Sequence, residues 1–211
     1  MSDGGRMIRV DDQSDCCTIT LARPDKANAL TGPMLDDIAA AVTKTTARVL
    51  ILTGEGKVFS AGADLGGMKA GLGLSPAWEA ASSAIATFPG LSIAALNGTL
   101  AGGAMGVALA CDLRIAVPSA NFFYPVMRLG YRPQPSDPAR LAALIGPARA
   151  RMILLAAQRI DAGTALAWGL IDRICPPEAL TDTAMSLAEA ALAADPGHVQ
   201  ALKRMTNGDT P

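Results

Sequence analysis

Hydrophobic and polar positions alternate through "CCTITLA", Cys16 to Ala22, the pattern of a strand buried on one face. "RVLILTG", Arg48 to Gly54, is instead an unbroken apolar run ending at a glycine, which predicts a strand buried on both faces. Between them, "TGPMLDDIAAAVTK" combines a threonine, an early proline and apolar residues at helical spacing, predicting a helix capped by Thr31. Strand, helix and strand in this order make a crossover unit. "LSIAALNG" and "CDLRIAV" predict two further buried strands, with a helix between them in "LAGGAMGVALACD", Leu100 to Asp112. From Asp137 the pattern turns helical through "SDPARLAALIG" and "PARARMILLAAQ". "IDAGTALAWGLIDRICP" predicts a short helix and a strand, and a further helix runs from about Thr181 to Ala193. The aperiodic "LGGMKAGLGLSP" is the expected mobile loop. The class is α/β.

Composition narrows what such a chain does. It has 211 residues, half of them hydrophobic, which is ample for one well-buried domain with or without a helical appendage. Lys and Arg number 18 against 19 Asp and Glu, so no basic excess marks nucleic acid or an anionic membrane as the main partner. The best basic cluster, Arg149 with Arg151, fits a solvated helix face. "MSDGGRMIRV" lacks the apolar core of a signal peptide, and no run is long enough to cross a bilayer, so a cytoplasmic protein without a membrane partner is expected. Cys16, Cys17, Cys111 and Cys175 lack metal-ligand spacing and read as buried free thiols. His198, the only histidine, sits in "ADPGHVQ", a surface helix start; this excludes most His-based metal sites and argues against a Ser-His-Asp triad.

The glycines of Leu100 to Asp112 need a reason. Each costs a helix roughly 1 kcal/mol relative to alanine, so their crowding indicates a close approach to the backbone. Four segments occur in order: "LARPDKANAL" (Leu21 to Leu30), "LTGEGKVFSAGADL" (Leu52 to Leu65), "ALNGTLAGGAMGVALACDLRIA" (Ala95 to Ala116) and "RLAALIGPARARMILLAAQRIDAGTALAWGLIDRI" (Arg140 to Ile174). Together they resemble the crotonase superfamily, the enoyl-CoA hydratase/isomerase family, from about Thr18 to Asn207. A dinucleotide fingerprint is a poorer match in glycine spacing and lacks the acidic residue such a site needs.

The resemblance implies a crotonase-like spiral of β-β-α units. Residues 1–137 would form the core, and 138–211 a helical region within the same unit. Relatives continue for several dozen residues past "DPGHVQALKRM", so a shortened C-terminal region is expected, with a homo-oligomer, trimer or hexamer, as the assembly. No cofactor is expected to be permanently bound, and no metal; coenzyme A enters as part of an acyl-CoA ligand.

By the same resemblance, the backbone N–H groups of Ala63 and Gly103 form an oxyanion hole for the thioester carbonyl. Physically, an anion at a helix start meets unpaired donors, and glycine lets a ligand come close. Packing alone is the other reason for Gly102, Gly103 and Gly106. Lys26, Ala27, Ala29, Ala61, Gly62, Asp64 and Leu65 would border the CoA moiety, with Asp64 better explained as a local cap. Gly102, Pro125, Val126 and Leu129 would border the acyl group, and Met105, Val126, Met127 and Leu129 would make its site apolar.

The family's acid positions are a different matter. Its hydratases use two glutamates, which fall here on Gly106 and Val126, and the aspartate of some relatives falls on Gln134. Tyr124, Tyr131, Ser136 and Asp137 are the polar groups left nearby. Asp137, ahead of Pro138 and a helical run, reads as a helix N-cap, and Tyr131 as a packing residue with a wet hydroxyl. Two functions stay open: a divergent family enzyme acting on an acyl-CoA, with hydratase activity in doubt, and a non-catalytic acyl-CoA-binding carrier or regulator. Decarboxylation or thioester cleavage, which need mainly the oxyanion hole, lie between them.

Overall fold

The chain repeats a β-β-α unit. In the computed structural model, which describes residues 7–208, the first unit is β1 (Ile8–Gln13), β2 (Cys16–Leu21) and α1 (Gly32–Lys44). The second is β3 (Val49–Gly54), β4 (Val58–Ser60), α2 (Leu65–Lys69), a 3-10 turn (Leu72–Leu74) and α3 (Ala77–Ala86). The third is β5 (Leu91–Leu96), β6 (Thr99–Ala101) and α4 (Ala104–Leu109). The fourth is β7 (Leu113–Ala116), β8 (Asn121–Phe123), α5 (Val126–Leu129), α6 (Asp137–Ile145) and α7 (Pro147–Leu154). Then follow β9 (Ile160–Asp161), α8 (Ala162–Trp168), β10 (Arg173–Ile174), α9 (Leu180–Ala193) and α10 (Pro196–Thr206).

The first strand of each unit, or β2 in the first, joins a six-stranded sheet ordered β1-β2-β3-β5-β7-β10. All its pairings are parallel except the β1–β2 hairpin at the edge. Register places Thr18 opposite Ile51, Ile51 opposite Ile93 and Ile93 opposite Leu113. As the patterns predict, β2 alternates between buried and half-buried positions, whereas β5 is buried along nearly its whole length. The second strands build a smaller sheet, β4-β6-β8-β9, mostly parallel. None of these short strands is visible in the hydrophobic pattern, because three residues show no period. "LAGGAMG" is accordingly a strand end and loop before it is a helix, and α4 is only six residues long.

Local chemistry fixes the helix boundaries. Thr31 caps α1 by accepting from the Met34 N–H at 3.4 Å, and Met34, Leu35, Ile38 and Val42 form its buried face against α3. "LGGMKAGLGLSP", expected as a loop, contains α2 and the 3-10 turn, because the Asp64 carboxylate caps α2 through the Gly67 N–H at 3.0 Å. Arg114, buried on β7, donates to the Leu170 and Cys111 carbonyls at 2.9 and 2.7 Å, and Asp172 accepts from its backbone N–H at 2.7 Å. This holds the "WGLID" segment to the large sheet. Lys203 ties α10 to the same sheet through the Phe88 carbonyl and Asp112 Oδ2, both at 2.8 Å. His198 lies exposed in the first turn of α10. Cys17, Cys111 and Cys175 occupy core positions, and burial pushes the Cys111 thiol up to about 12. Among the described residues, no helix is long and apolar enough to cross a membrane.

Candidate active site

Parallel pairing of β4 and β6 sends residues 61–64 and 102–103 out of the small sheet side by side. The two backbones cross where only glycine fits. Gly62 has φ +95°, and a Cβ there would lie 2.9 Å from the Ala101 carbonyl; Gly102 has φ +55° and faces the Gly62 Cα. Within these loops the Ala61 N–H donates to the Ala27 carbonyl at 2.9 Å and the Gly62 N–H to Ser60 Oγ at 3.1 Å. The Asp64 N–H donates to the Leu30 carbonyl at 2.8 Å and the Gly102 N–H to the Phe123 carbonyl at 3.0 Å. Ala63 and Gly103 differ: among the described residues neither N–H has an acceptor, and both residues line one cavity.

The "RPDKANAL" turn braces this arrangement from behind. Ala27 and Asn28 adopt left-handed backbone, and the buried Asn28 amide donates to the Val58 carbonyl at 2.7 Å. Arg23 donates to the Ala29 carbonyl at 2.7 Å and pairs with Asp64 at 3.3 Å. The Gly67 N–H, with Arg23 beside it, holds the Asp64 carboxyl below the usual carboxylate range. Lys26, Ala27 and Ala29 do not line the cavity, so the turn's observed work is structural.

The cavity has a volume of about 460 Å³. Of the residues expected around the ligand it brings together Ala61, Ala63, Leu65, Gly103, Val126 and Leu129; Gly62, Asp64 and Gly102 stand behind in the loops. Pro125 faces a separate shallow pocket with Arg128 and Arg159. Met105 and Met127 depart from the expectation of an apolar acyl site: Met105 is core, and Met127 is exposed away from the cavity. In their place the wall contains Met68 and Trp78, with Lys69 and Arg132 as cations able to meet an anionic ligand group. Met68 and Lys69 were hidden in the stretch expected to be a loop.

Trp78 also corrects the reason for one glycine. Its indole lies against Gly103, where a Cβ would come within 2.9 Å of the ring, and its Nε1–H donates to the Leu72 carbonyl at 2.9 Å. Gly103 therefore makes room for Trp78, a packing reason that holds without any ligand.

Among the described residues, no carboxylate lines the cavity. Val126 and Gln134 do, but Gln134 spends its amide as a strut to the Gly73 carbonyl at 3.1 Å. Asp137 is not the N-cap its sequence context implies. Ser136 holds that position without capping, its N–H and hydroxyl donating to Glu79 at 3.0 and 2.5 Å, and Asp137 becomes the first helical residue. The Asp137 side chain turns inward, 1 % exposed, where its Oδ2 accepts from the Tyr124 hydroxyl at 2.9 Å. Its Oδ1 has no partner among the described residues. A Cβ on Gly106 would lie 2.4 Å from Oδ1 and 3.0 Å from Oδ2. Burial raises the Asp137 carboxyl to about 6, with Glu79 adding to the rise and Tyr124 and Arg140 opposing it. Burial and the Asp137 charge push the Tyr124 phenol above its usual range. Tyr124 lines the cavity; Asp137 stands just behind it. Tyr131 lines the cavity too and is half exposed.

Residues 11–210 match the model of the enoyl-CoA hydratase/isomerase family. A probable enoyl-CoA hydratase of Mycobacterium tuberculosis is 34% identical over 206 residues, covering 96% of this chain and 83% of its own. Carnitinyl-CoA dehydratase of Citrobacter koseri is 34% identical over 196 residues, covering 89% and 75%. Among solved structures, an enoyl-CoA hydratase from Bacillus anthracis superposes with a TM-score of 0.88 at 32% identity, covering 96% of this chain and 83% of that one.

Proposed function

We propose, from the premise that this chain belongs to the enoyl-CoA hydratase/isomerase family, that its cavity binds an acyl-CoA thioester and stabilises negative charge on the carbonyl oxygen. One observation carries the reading: Ala63 and Gly103 alone in their loops hold an N–H without an internal acceptor, and both face the same apolar cavity. Two donors fixed by the fold need no reorganisation as charge develops, which is the basis of oxyanion stabilisation. The α4 dipole adds little over six residues, so the individual N–H groups do the work. Lys69 and Arg132 offer partners to the phosphates of a CoA moiety.

Hydration is not what this lining supports. Activating water and protonating the α-carbon call for acid/base groups worth about 10² to 10⁴ in rate each, and Gly106 and Val126 supply neither. A cavity with donors and, among the described residues, no carboxylate in its lining also suits a carrier that holds the thioester without turnover, the second reading. Calorimetry with octanoyl-CoA and its thioether analogue octyl-CoA tests the shared premise. The thioether lacks only the carbonyl, and two lost hydrogen bonds at about 1 kcal/mol each make it bind roughly 10-fold or more weakly. Equal affinity, or no saturable binding of the thioester, overturns the reading.

A further inference from the structure

We infer that Tyr124 and Asp137 form a proton relay for this cavity, replacing the missing acids in the removal and return of a proton at the α-carbon of a bound acyl thioester. The inference rests on the thioester reading above, and the geometry that motivates it is independent of that reading. A buried carboxylate behind the cavity wall gives one oxygen to the phenol of a wall residue and leaves the other unpartnered. An uncompensated buried carboxylate is costly, so one retained without a neutralising partner invites a functional reason. Arg140, on the same helix, and Glu79, on α3, are the charged groups that bear on it; neither forms an ion pair with it. Asp137 also occupies the space a side chain at Gly106 would enter. A carboxylate from α6 thus stands where the first side-chain carbon at position 106 would lie, behind the cavity wall.

The relay balances without a co-reactant. The α-carbon proton passes to the Tyr124 oxygen as the phenol's own proton moves to Asp137 Oδ2, across the existing 2.9 Å hydrogen bond. The C–H electron pair becomes the enolate double bond, and the carbonyl oxygen takes the charge beside the Ala63 and Gly103 N–H groups. Reversal restores every group. Tyr124 is the catalytic residue and Asp137 the positioning residue that acts through it.

Deuterium uptake tests this without knowledge of the physiological acyl group. Octanoyl-CoA is incubated with the protein in D₂O and its α-carbon label followed by mass spectrometry, with affinity measured in parallel. Uptake should exceed the protein-free rate and fall below a pD near the Asp137 titration, since only the ionised carboxylate accepts the proton. Tyr124→Phe and Asp137→Asn should each slow uptake by about 10²-fold or more at unchanged affinity; Asp137→Asn should also flatten the profile, and Asp137→Glu should recover part of the rate. Wild-type uptake in either of the first two variants, or no uptake by a wild-type protein that binds the thioester, overturns the relay alone. Failure to bind octanoyl-CoA overturns the thioester reading and the relay with it.

Discussion

At the scale of single residues, neighbouring positions of the site explain one another. Gly106 and Asp137 are coupled: the carboxylate fills the space that a side chain at 106 would enter. Gly106→Ala should cost roughly 1–3 kcal/mol by overpacking, and most of that should vanish in an Asp137→Gly background. Chemical denaturation of both singles and the double measures the coupling; additive effects within about 0.5 kcal/mol contradict the contact. A glutamate placed at 106 therefore has no room while Asp137 remains. Asp137 makes stability depend on pH with a definite sign. Because its folded carboxyl titrates near 6, above the unfolded value of about 4, its contribution is fully favourable below about 4 and is lost as pH rises through 6. Asp137→Asn removes this dependence. Relative to wild type, the variant should gain on the order of 2 to 3 kcal/mol between pH 4 and pH 8, and a pH-independent difference in melting would count against the burial of an ionised group. "SDPAR" could not reveal any of this. Its grammar is that of a cap, and only the capture of Ser136 by Glu79 turns Asp137 inward.

At the scale of elements, the wall segment from α2 through the 3-10 turn is held by the Asp64 cap, the Gln134 strut and an anchor from α3. Trp78 donates from α3 to the Leu72 carbonyl and lays its ring beneath Gly103. Trp78→Phe keeps an aromatic and deletes one of the two donors to the Leu72 carbonyl, which keeps the Ser75 N–H at 3.0 Å; the loss should be about 0.5–1.5 kcal/mol. Amide hydrogen exchange over residues 65–75 should accelerate selectively, while α9 is unaffected; uniform acceleration would mean the anchor is global rather than local. Elements with strong periodicity were legible beforehand: β2, β3, β5, α1 and α6 lie where their patterns put them. The small sheet was not, since β4, β6 and β8 are three residues each and owe their existence to pairing with one another. With that sheet invisible, the crossing of the two loops had no geometric basis in the sequence; it came from resemblance alone.

At the scale of the whole molecule, parallel stacking of successive β-β-α units is what brings residues forty positions apart to one cavity. The second, third and fourth units each contribute the segment that follows their small-sheet strand to the same cavity, so the placing of residues 63 and 103 follows from the topology rather than from special side chains. The expectation of backbone donors at Ala63 and Gly103 came from the motif resemblance, and the topology sets both residues along one cavity. On the side-chain half, Tyr124 and Asp137 were named as nearby polar groups but not as a pair, and Trp78, Lys69 and Arg132 were not named, because these residues arrive from α2, α3, α6 and the segments flanking α5 and carry no fixed spacing. The claim on which the rest depends is that a thioester carbonyl docks on the two unpaired N–H groups. Isotope-edited difference infrared spectroscopy of octanoyl-CoA carrying ¹³C at the thioester carbonyl reads that contact directly. Binding should move the labelled C=O band to lower wavenumber than in free solution, as two hydrogen bonds polarise the bond; an unshifted band in a saturated complex would contradict the assignment of Ala63 and Gly103.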